Sequence, residues 1–163
     1  MAFSILSLDQ AHDLKSFNCG NTALNTWLQN TSRQHQKKNI SRTFVLAQDE
    51  SPATILGYYA LAIRGLTMTE ALPQNMKKSL PLNVPTMTLA RLAVSIKEQR
   101  KGHGERLLLD AMKRVKTASR LIGGSFLFVD AKDTKLAGFY ARYGFVALPS
   151  DPLILVMPIE KIP

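Results

Sequence analysis

The chain has 163 residues and a formal charge of +9, from 21 lysine and arginine residues against 12 aspartate and glutamate residues. That length suits one compact domain, and 45% apolar with 20% charged residues is an ordinary globular composition that excludes intrinsic disorder. The single cysteine, Cys19, excludes an internal disulfide bond, and no apolar run approaches the roughly 20 residues of a membrane span. We therefore expect one domain over residues 1–163, in a soluble protein of the cytoplasm.

The positive charge is concentrated in one stretch. Between Lys97 and Arg120 there are eight basic residues and three acidic ones, which give more than half of the net charge. This distribution favours a polyanionic partner such as nucleic acid or an anionic cofactor, and a basic solvated surface explains it equally well.

The first half of the chain is expected to hold a strand, a helix and two further strands. The helix begins at a capping Asn21 or Thr22, and its apolar stripe, which includes Trp27, ends after Gln34. Polar turns separate the helix and the strands. The expected strands cover residues 4–8, 42–48 and 54–63.

The second half begins with residues 67–85, which hold three prolines and predict an irregular surface connection. A mostly apolar strand at 86–94 and a polar loop at 95–101 precede a long amphipathic helix that begins at Gly104 and ends at Gly123. The remaining expected elements are a strand at 125–130, a helix at 134–142, and strands at 145–146 and 154–159. Strands separated by helices predict a mixed α/β sheet with helices packed on both faces.

The most informative spacing is the turn Gln99-Arg100-Lys101-Gly102-His103-Gly104 between the apolar strand and the long helix. Its two glycines allow the backbone to approach a ligand closely, and the helix N-terminus adds partial positive charge, which suits a pyrophosphate. The turn is neither a P-loop nor a dinucleotide fingerprint, because the number and spacing of its glycines differ. Two glycines alone are equally typical of a tight loop.

The residues around this turn resemble the acetyl-CoA signature of the GNAT N-acetyltransferase family, Q/R-x-x-G-x-G/A, with one departure at Arg100, where many members have glycine. The resemblance implies the GNAT fold, an α/β architecture with a mixed, twisted central sheet that splays at the cofactor site and helices on both faces. It also implies acetyl-CoA as the acetyl donor. The strand end would bind the pantetheine arm and the thioester carbonyl, and the turn would bind the pyrophosphate. The implied cofactor-binding residues here are Leu92, Ala93, Val94, Gln99, Arg100, Lys101, Gly102, His103, Gly104 and Glu105.

A second match lies at residues 136–145, LAGFYARYGF, which resemble the family's A-x-x-F-Y-x-x-x-G-F segment. The resemblance implies that Tyr140 lies near the thiol of coenzyme A and protonates the leaving thiolate, with Phe139 and Tyr143 also at the cofactor. A phenol with a pKa of about 10 is protonated at neutral pH, which suits that role. The alternative is that these aromatic residues only fill the core or a lid.

A third match is narrower. The run FNCGNTALNTWL, the strand SRTFVL and the strand ARLAV resemble GNAT toxins of bacterial type II toxin–antitoxin modules, over almost the whole chain and most weakly at residues 67–85. Those toxins acetylate the α-amino group of the amino acid on charged tRNA and stop translation. The resemblance implies the same activity here, a ribbon-helix-helix antitoxin that represses the operon together with the toxin, and a homodimer. Operator DNA would be contacted only through the antitoxin.

A general base is not evident in the sequence. Many GNAT members carry a glutamate on the strand before the turn, whereas residues 86–94 hold no carboxylate and Arg91 lies where one is expected. A lysine amine, with a pKa of about 10.4, would need a base, but a peptide α-amine titrates at about 7.7–8.0 and an ester lowers that value. The sequence therefore favours an aminoacyl ester over a protein lysine, with Asp130 or a water chain as alternative bases.

Seven basic residues are candidate contacts to tRNA phosphates, although each is also explained as an ordinary solvated cation. These are Arg33, Lys37, Lys38, Arg42, Lys77, Lys78 and Arg91. No metal site is expected, because His12, His35 and His103 lack companion ligands at suitable spacing. His103 is expected to contact phosphate or to face solvent, and Trp27 to lie in the core or at a dimer interface.

Two alternative functions remain open from the sequence. The first is a housekeeping GNAT acetyltransferase that acts on a small amine or a protein amine. The second is a non-catalytic module that keeps the fold and binds nucleic acid or a protein partner.

Overall fold

The computed structural model describes residues 2–163, in which seven strands and four α-helices are found. The strands are β1 (Phe3–Ser7), β2 (Arg42–Gln48), β3 (Gly57–Met68), β4 (Asn83–Val94), β5 (Phe126–Asp130), β6 (Val146–Leu148) and β7 (Asp151–Pro158). The helices are α1 (Thr22–Asn30), α2 (Ser32–Lys37), α3 (His103–Ile122) and α4 (Thr134–Ala141). No helix within these residues is long and apolar enough to cross a membrane.

The strands form one mixed sheet in the order β1-β2-β3-β4-β5-β7-β6, which confirms the expected mixed α/β class. Strands β4 and β5 are parallel, as a connection through the long helix α3 requires, and the pairs β1–β2, β2–β3, β5–β7 and β6–β7 are antiparallel. The β4–β5 ladder joins residues 86–89 to residues 126–129, whereas β4 continues to Val94. The last five residues of β4 therefore lie beyond this ladder.

The chain divides into two compact units. The first unit comprises residues 2–62 and 90–111, and the second comprises residues 63–89 and 112–163. The expected cofactor turn lies in the first unit, and the segment that contains Tyr140 lies in the second.

The first unit has a core in which helix α1 packs on strand β3. The Asn21 side chain caps α1 by accepting a hydrogen bond from the amide of Leu24 at 3.2 Å, as its position predicts. Trp27 and Leu28 form the buried face of the helix. The Tyr58 hydroxyl of β3 donates to the Leu24 carbonyl at 2.8 Å, so that helix and strand are joined by a hydrogen bond as well as by apolar packing.

The single helix expected up to Gln34 is two helices, and that expectation was wrong. Thr31 leaves helical geometry, with φ −123°, and separates α1 from α2. The Ser32 hydroxyl donates to the Leu28 carbonyl four residues earlier at 2.6 Å, a backbone contact that bends helices.

The connection expected at residues 67–85 is shorter than predicted, because both flanking strands extend into it. Strand β3 begins at Gly57 and runs to Met68, five residues beyond its expected end. The Thr67 and Thr86 hydroxyls lie 3.0 Å apart across the strands, and Thr86 donates to the Gly65 carbonyl at 2.9 Å. These side-chain contacts explain why the apolar pattern underestimated both strands.

The second unit has its own apolar core, formed by Leu72, Val84, Phe126, Phe128 and Val156. Its C-terminal segment is fixed by Lys116, whose ammonium donates to the carbonyls of Glu160 and Ile162. A cavity of about 680 Å³ opens in this unit, with Met76, Met112 and Met157 in its lining.

Candidate active site

The turn that follows β4 is tied to the rest of the first unit by side-chain and backbone hydrogen bonds. The side-chain Nε2 of Gln99 donates to the Val94 carbonyl at 2.9 Å and to the Cys19 carbonyl at 3.0 Å. The Ile96 amide donates to the Asn18 carbonyl at 2.9 Å. The side chain of Gln99, the first residue of the expected signature, therefore orders the turn, and its sequence position alone does not reveal this role.

The glycine turn fits a diphosphate. Gly102 has φ +84°, and a Cβ atom placed there would meet nothing within 4 Å, so its backbone faces open space. Arg100 and Lys101 are exposed beside it, and Arg100 also has a positive φ of 63°. Helix α3 begins at His103, and its N-terminus adds partial positive charge to the same turn.

His103 lies inside the protein, with 3% of its surface exposed, which corrects the expectation that its side chain contacts phosphate or solvent. The edge of its ring meets Phe3 at a centroid distance of 4.9 Å. Its Nε2 atom is 3.4 Å from a carboxylate oxygen of Glu98, and the other oxygen is 3.3 Å from Lys101 Nζ. Only the backbone of His103 is therefore available to a cofactor.

Close packing of β3 against the end of β4 depends on Gly57, a residue that the sequence analysis missed. A Cβ atom at Gly57 would lie 2.9 Å from the Ala93 carbonyl oxygen and 2.9 Å from a methyl group of Leu107. The Ser95 amide next to β4 donates to the Leu56 carbonyl at 2.8 Å. The only signal in the sequence is a glycine at the start of an apolar strand, which is typical of a close backbone approach.

Arg91 lies on β4 immediately before the residues expected to bind the thioester. Its guanidinium carbon is 4.3 Å from the centroid of the Trp27 ring, which in turn stacks on Tyr58 at 6.1 Å with an interplanar angle of 10°. Burial lowers the pKa of Arg91, although the side chain stays half-exposed. Trp27 is 8% exposed and belongs to the core, one of the two places expected for it.

In the second unit, α4 holds Tyr140 in an aromatic cluster. Asp133 caps the helix by accepting from the Leu136 amide at 2.9 Å. Tyr140 is 7% exposed, and its ring meets Phe139 at 5.2 Å and Phe145 at 5.8 Å in edge contacts. Burial raises the pKa of the Tyr140 phenol to about 12, because the charged phenolate would lose its hydration. The phenol is therefore protonated throughout the neutral range.

Tyr143 extends this cluster, since its ring lies 5.3 Å from that of Phe139. The two residues expected beside the cofactor, Phe139 and Tyr143, are thus in contact with each other, and Phe139 is in contact with Tyr140.

Asp130, the carboxylate considered as a general base, is paired. Its two oxygens accept hydrogen bonds from the Arg64 guanidinium at 2.9 and 3.4 Å, and the guanidinium also lies over the Phe128 ring at 4.5 Å. Both oxygens of the Asp130 carboxylate are therefore already engaged by a cation. Within residues 2–163 no group of three histidine, cysteine or acidic side chains is placed to hold a metal ion.

Arg33 is half-exposed, and part of its guanidinium is engaged inside the protein. One guanidinium nitrogen donates to the carbonyls of Asp9, Gln10 and His12, at 3.1, 3.4 and 2.7 Å. The side chain thereby joins α2 to the segment after β1.

Four of the five remaining lysine and arginine candidates outside β4 are exposed. Arg42 is exposed, and it donates to the Asn39 side chain at 3.0 Å. Lys37, Lys38 and Lys78 are exposed, and Lys77 is half-buried.

Residues 18–154 match the family model described as an acetyltransferase (GNAT) domain. The chain belongs to the GNAT family. It is an acetyl-CoA-dependent N-acetyltransferase with the fold of that family, and acetyl-CoA is its acetyl donor. This confirms the resemblance on which the cofactor assignment was based, and it excludes the non-catalytic alternative.

Several relatives share most of this chain. A tRNA-acetylating toxin of Mycobacterium tuberculosis (strain ATCC 25618 / H37Rv) is 33% identical over 92% of this chain and 88% of its own length. The solved structure of AtaT complexed with acetyl-methionyl-tRNAfMet is 32% identical, with a TM-score of 0.90 over 99% of this chain and 97% of that chain.

Two further structures contain other partners. An AtaT point mutant bound to the C-terminus of the antitoxin AtaR and to acetyl-CoA is 29% identical, with a TM-score of 0.81 over 98% of this chain and 95% of that chain. The KacTA–DNA complex is 30% identical, with a TM-score of 0.82 over 99% of this chain and 96% of that chain.

Proposed function

We propose that this chain transfers the acetyl group of acetyl-CoA to the α-amino group of the amino acid on aminoacyl-tRNA and thereby blocks translation. The likeness to a tRNA-acetylating toxin over nearly the whole chain supports this assignment. The observation that carries it is that β4 holds no carboxylate and has Arg91 immediately before the residues expected to bind the thioester.

The acceptor amine must be uncharged before it attacks a thioester. Strand β4 offers no carboxylate to remove a proton, and Asp130 is paired with Arg64. A lysine amine would remain almost wholly charged at neutral pH, whereas the α-amine of an aminoacyl ester titrates below the value of about 7.7–8.0 of a peptide amine. An ester-linked α-amine is therefore the acceptor class that needs no strong base.

The residues implied by the family resemblance have separate proposed tasks. The backbone of Leu92, Ala93 and Val94 binds the pantetheine arm and the carbonyl oxygen, and the turn at residues 99–105 binds the diphosphate. Bound acetyl-CoA would supply the acetyl group as a thioester: the amine nitrogen takes the carbonyl carbon, and the thiolate of coenzyme A is the leaving group. Tyr140 would donate its phenolic proton to the departing sulfur, and the proton that the amine nitrogen releases would pass through water and restore the phenol. Phe139 and Tyr143 would line the cofactor beside it.

The proposed tRNA contacts are cations that are not engaged inside the protein. Phosphates attract them at long range, and the contacts set affinity without reading sequence. They are Lys37, Lys38, Arg42, Lys77 and Lys78.

We also propose the regulation that the family resemblance implies. A ribbon-helix-helix antitoxin neutralises the enzyme, and the pair represses its own operon, with operator DNA contacted through the antitoxin. The enzyme acts in the cytoplasm as a homodimer, and residues 1–163 form a single acetyltransferase domain. The support comes from similar toxins, which are found in complexes with an antitoxin and with DNA.

The test is a cell-free translation extract supplied with radiolabelled acetyl-CoA. We expect protein synthesis to stop only when enzyme and acetyl-CoA are both present, with label recovered as N-acetyl-aminoacyl-tRNA. The same extract with Tyr140→Phe is the control for carried-over nuclease or protease. Label on protein or on a small amine with unlabelled tRNA would instead support a housekeeping acetyltransferase.

A further inference from the structure

Arg91 of β4 has a role in binding the acceptor, if the proposed function holds. Arg91 is half-exposed at this position, and its guanidinium carbon lies 4.3 Å from the Trp27 centroid. Trp27 is fixed in turn by Tyr58 behind it and by His35 at its edge, with ring centroids 6.1 and 5.9 Å away. Stacking leaves the N–H groups along the guanidinium edge free to point at a ligand.

The surroundings of Arg91 contain aromatic rings and no carboxylate. Neither a salt bridge nor a hydrogen bond joins it to another residue among 2–163. Five of the seven acidic residues of the same unit contact other side chains: Asp9 contacts His12, Asp13 contacts Ser16, Asp49 contacts Ser4, Glu98 contacts Lys101, and Asp110 contacts Tyr59.

A half-buried guanidinium without an anion is a costly arrangement that a ligand anion can relieve. Burial is the largest influence on the pKa of Arg91, and the Tyr58 hydroxyl is the other, so no acidic side chain compensates its charge. The packing on Trp27 offsets part of this cost, because the ring face attracts a cation. The protein therefore holds a half-exposed cation against the Trp27 ring, on the strand proposed to bind the thioester.

We infer that Arg91 is a specificity-determining residue that binds a phosphate group of the nucleotide carrying the aminoacyl ester. Arg91 immediately precedes Leu92, so this contact would lie on the same strand as the residues proposed to hold the thioester. The planar fork of a guanidinium matches two phosphate oxygens, which a lysine ammonium does not. An acceptor with an α-amine and a nearby phosphate is bound, and an amine without a phosphate gains nothing from this residue.

The experiment compares two acceptors in steady-state kinetics. One is charged tRNA that the wild-type protein acetylates, and the other is the methyl ester of the same amino acid, which has the ester and the α-amine but no phosphate. For Arg91→Gln we expect KM for charged tRNA to rise about ten-fold or more, since hydrogen bonds between charged groups have that weight. The values of kcat, KM for acetyl-CoA and KM for the methyl ester should stay unchanged.

Two variants act as controls. Lys15→Gln removes one exposed positive charge elsewhere in the first unit and should leave KM for charged tRNA within about two-fold. Arg91→Lys keeps the charge but loses the planar fork, so it should recover only part of the affinity. The slope of log KM against log salt should fall by about 0.7–0.9 for Arg91→Gln, the value of one lost phosphate contact.

Each result has one meaning. An unchanged KM for charged tRNA in Arg91→Gln overturns the role of Arg91 while leaving the proposed function intact. An equal rise in KM for the methyl ester also overturns it, because the residue would then act through packing. Wild-type protein that acetylates the methyl ester but no charged tRNA contradicts the proposed function itself.

Discussion

At the scale of single residues, the chemistry of this enzyme depends on where the chain buries a titratable group and where it pairs one. The Tyr140 phenol is surrounded by Phe139 and Phe145 and keeps its proton, while Asp130 is held by Arg64. Burial favours the protonated phenol of Tyr140, and the carboxylate of Asp130 is already engaged by a guanidinium. The site is therefore suited to an amine that arrives already uncharged.

Replacing Tyr140 by phenylalanine tests the acid directly. Tyr140→Phe should lower kcat by about 100-fold to 10,000-fold while KM for acetyl-CoA stays the same, because only proton donation to sulfur is lost. Tyr59→Phe is the matched control: it also removes a buried hydroxyl, which donates to Asp110 at 2.6 Å, and should cost about 1–2 kcal/mol of stability without changing kcat. Full activity in Tyr140→Phe would show that another group protonates the thiolate.

The raised pKa of Tyr140 predicts a pH profile. Because burial moves this pKa to about 12, the proton is present at all lower pH values, and kcat should not decline between pH 8 and roughly pH 10. The profile is measured with an amide-linked aminoacyl analogue that resists alkaline hydrolysis. A descending limb centred near pH 10 would indicate a phenol of ordinary acidity.

At the scale of elements, the turn at residues 99–104 is held in place by hydrogen bonds from the Gln99 side chain, and the backbone of Gly102 faces open space. The sequence predicted the turn, because the spacing of its glycines can be read directly from the chain. It did not predict that His103 is buried or that Arg33 binds three carbonyls, because histidine and arginine are equally compatible with a surface and with an internal position. Those outcomes depend on residues distant in the chain.

Gly102→Ala tests the turn as an element. Both Gly102 and Gly123 have positive φ, +84° and +87°, and a Cβ atom at either would meet nothing within 4 Å. Alanine should cost each about 1–2 kcal/mol of stability through backbone strain alone. Only Gly102→Ala should raise KM for acetyl-CoA, and an equal rise in Gly123→Ala would assign the effect to general destabilisation.

The positions at which strands begin and end were the hardest feature of the fold to predict. Expected ends at Ile63 and Thr86 became Met68 and Asn83, because threonine hydroxyls join β3 and β4 across the strands. Apolar alternation detects burial and carries no signal for such polar cross-strand contacts. The elements that position the proposed site, β4 and α3, were nevertheless predicted with boundaries within three residues at each end.

At the scale of the whole molecule, the net charge of +9 belongs to an enzyme whose proposed substrate is a polyanion. Charge alone could not separate nucleic-acid binding from a basic solvated surface. The structure reduces the number of candidate tRNA contacts, because it shows which cations bind backbone carbonyls, as Arg33 and Lys116 do, and which are exposed to solvent.

Salt should separate the two substrates of the enzyme. KM for aminoacyl-tRNA should rise steeply with salt, with a slope of log KM against log salt of about 2–4 for three to five phosphate contacts. KM for acetyl-CoA, a small ligand, should change far less over the same range. A tRNA slope near zero would contradict an electrostatic tRNA surface.

The stack of Arg91, Trp27 and Tyr58 also gives the protein an intrinsic optical probe. Trp27 is the single tryptophan of the chain, so all indole emission originates beneath that guanidinium. Neutralising a charge a few ångströms from an indole alters its emission energy. Unlabelled oligonucleotides can therefore be titrated into native protein and their arrival at this cation followed by ultraviolet fluorescence alone, without a dye or an engineered reporter.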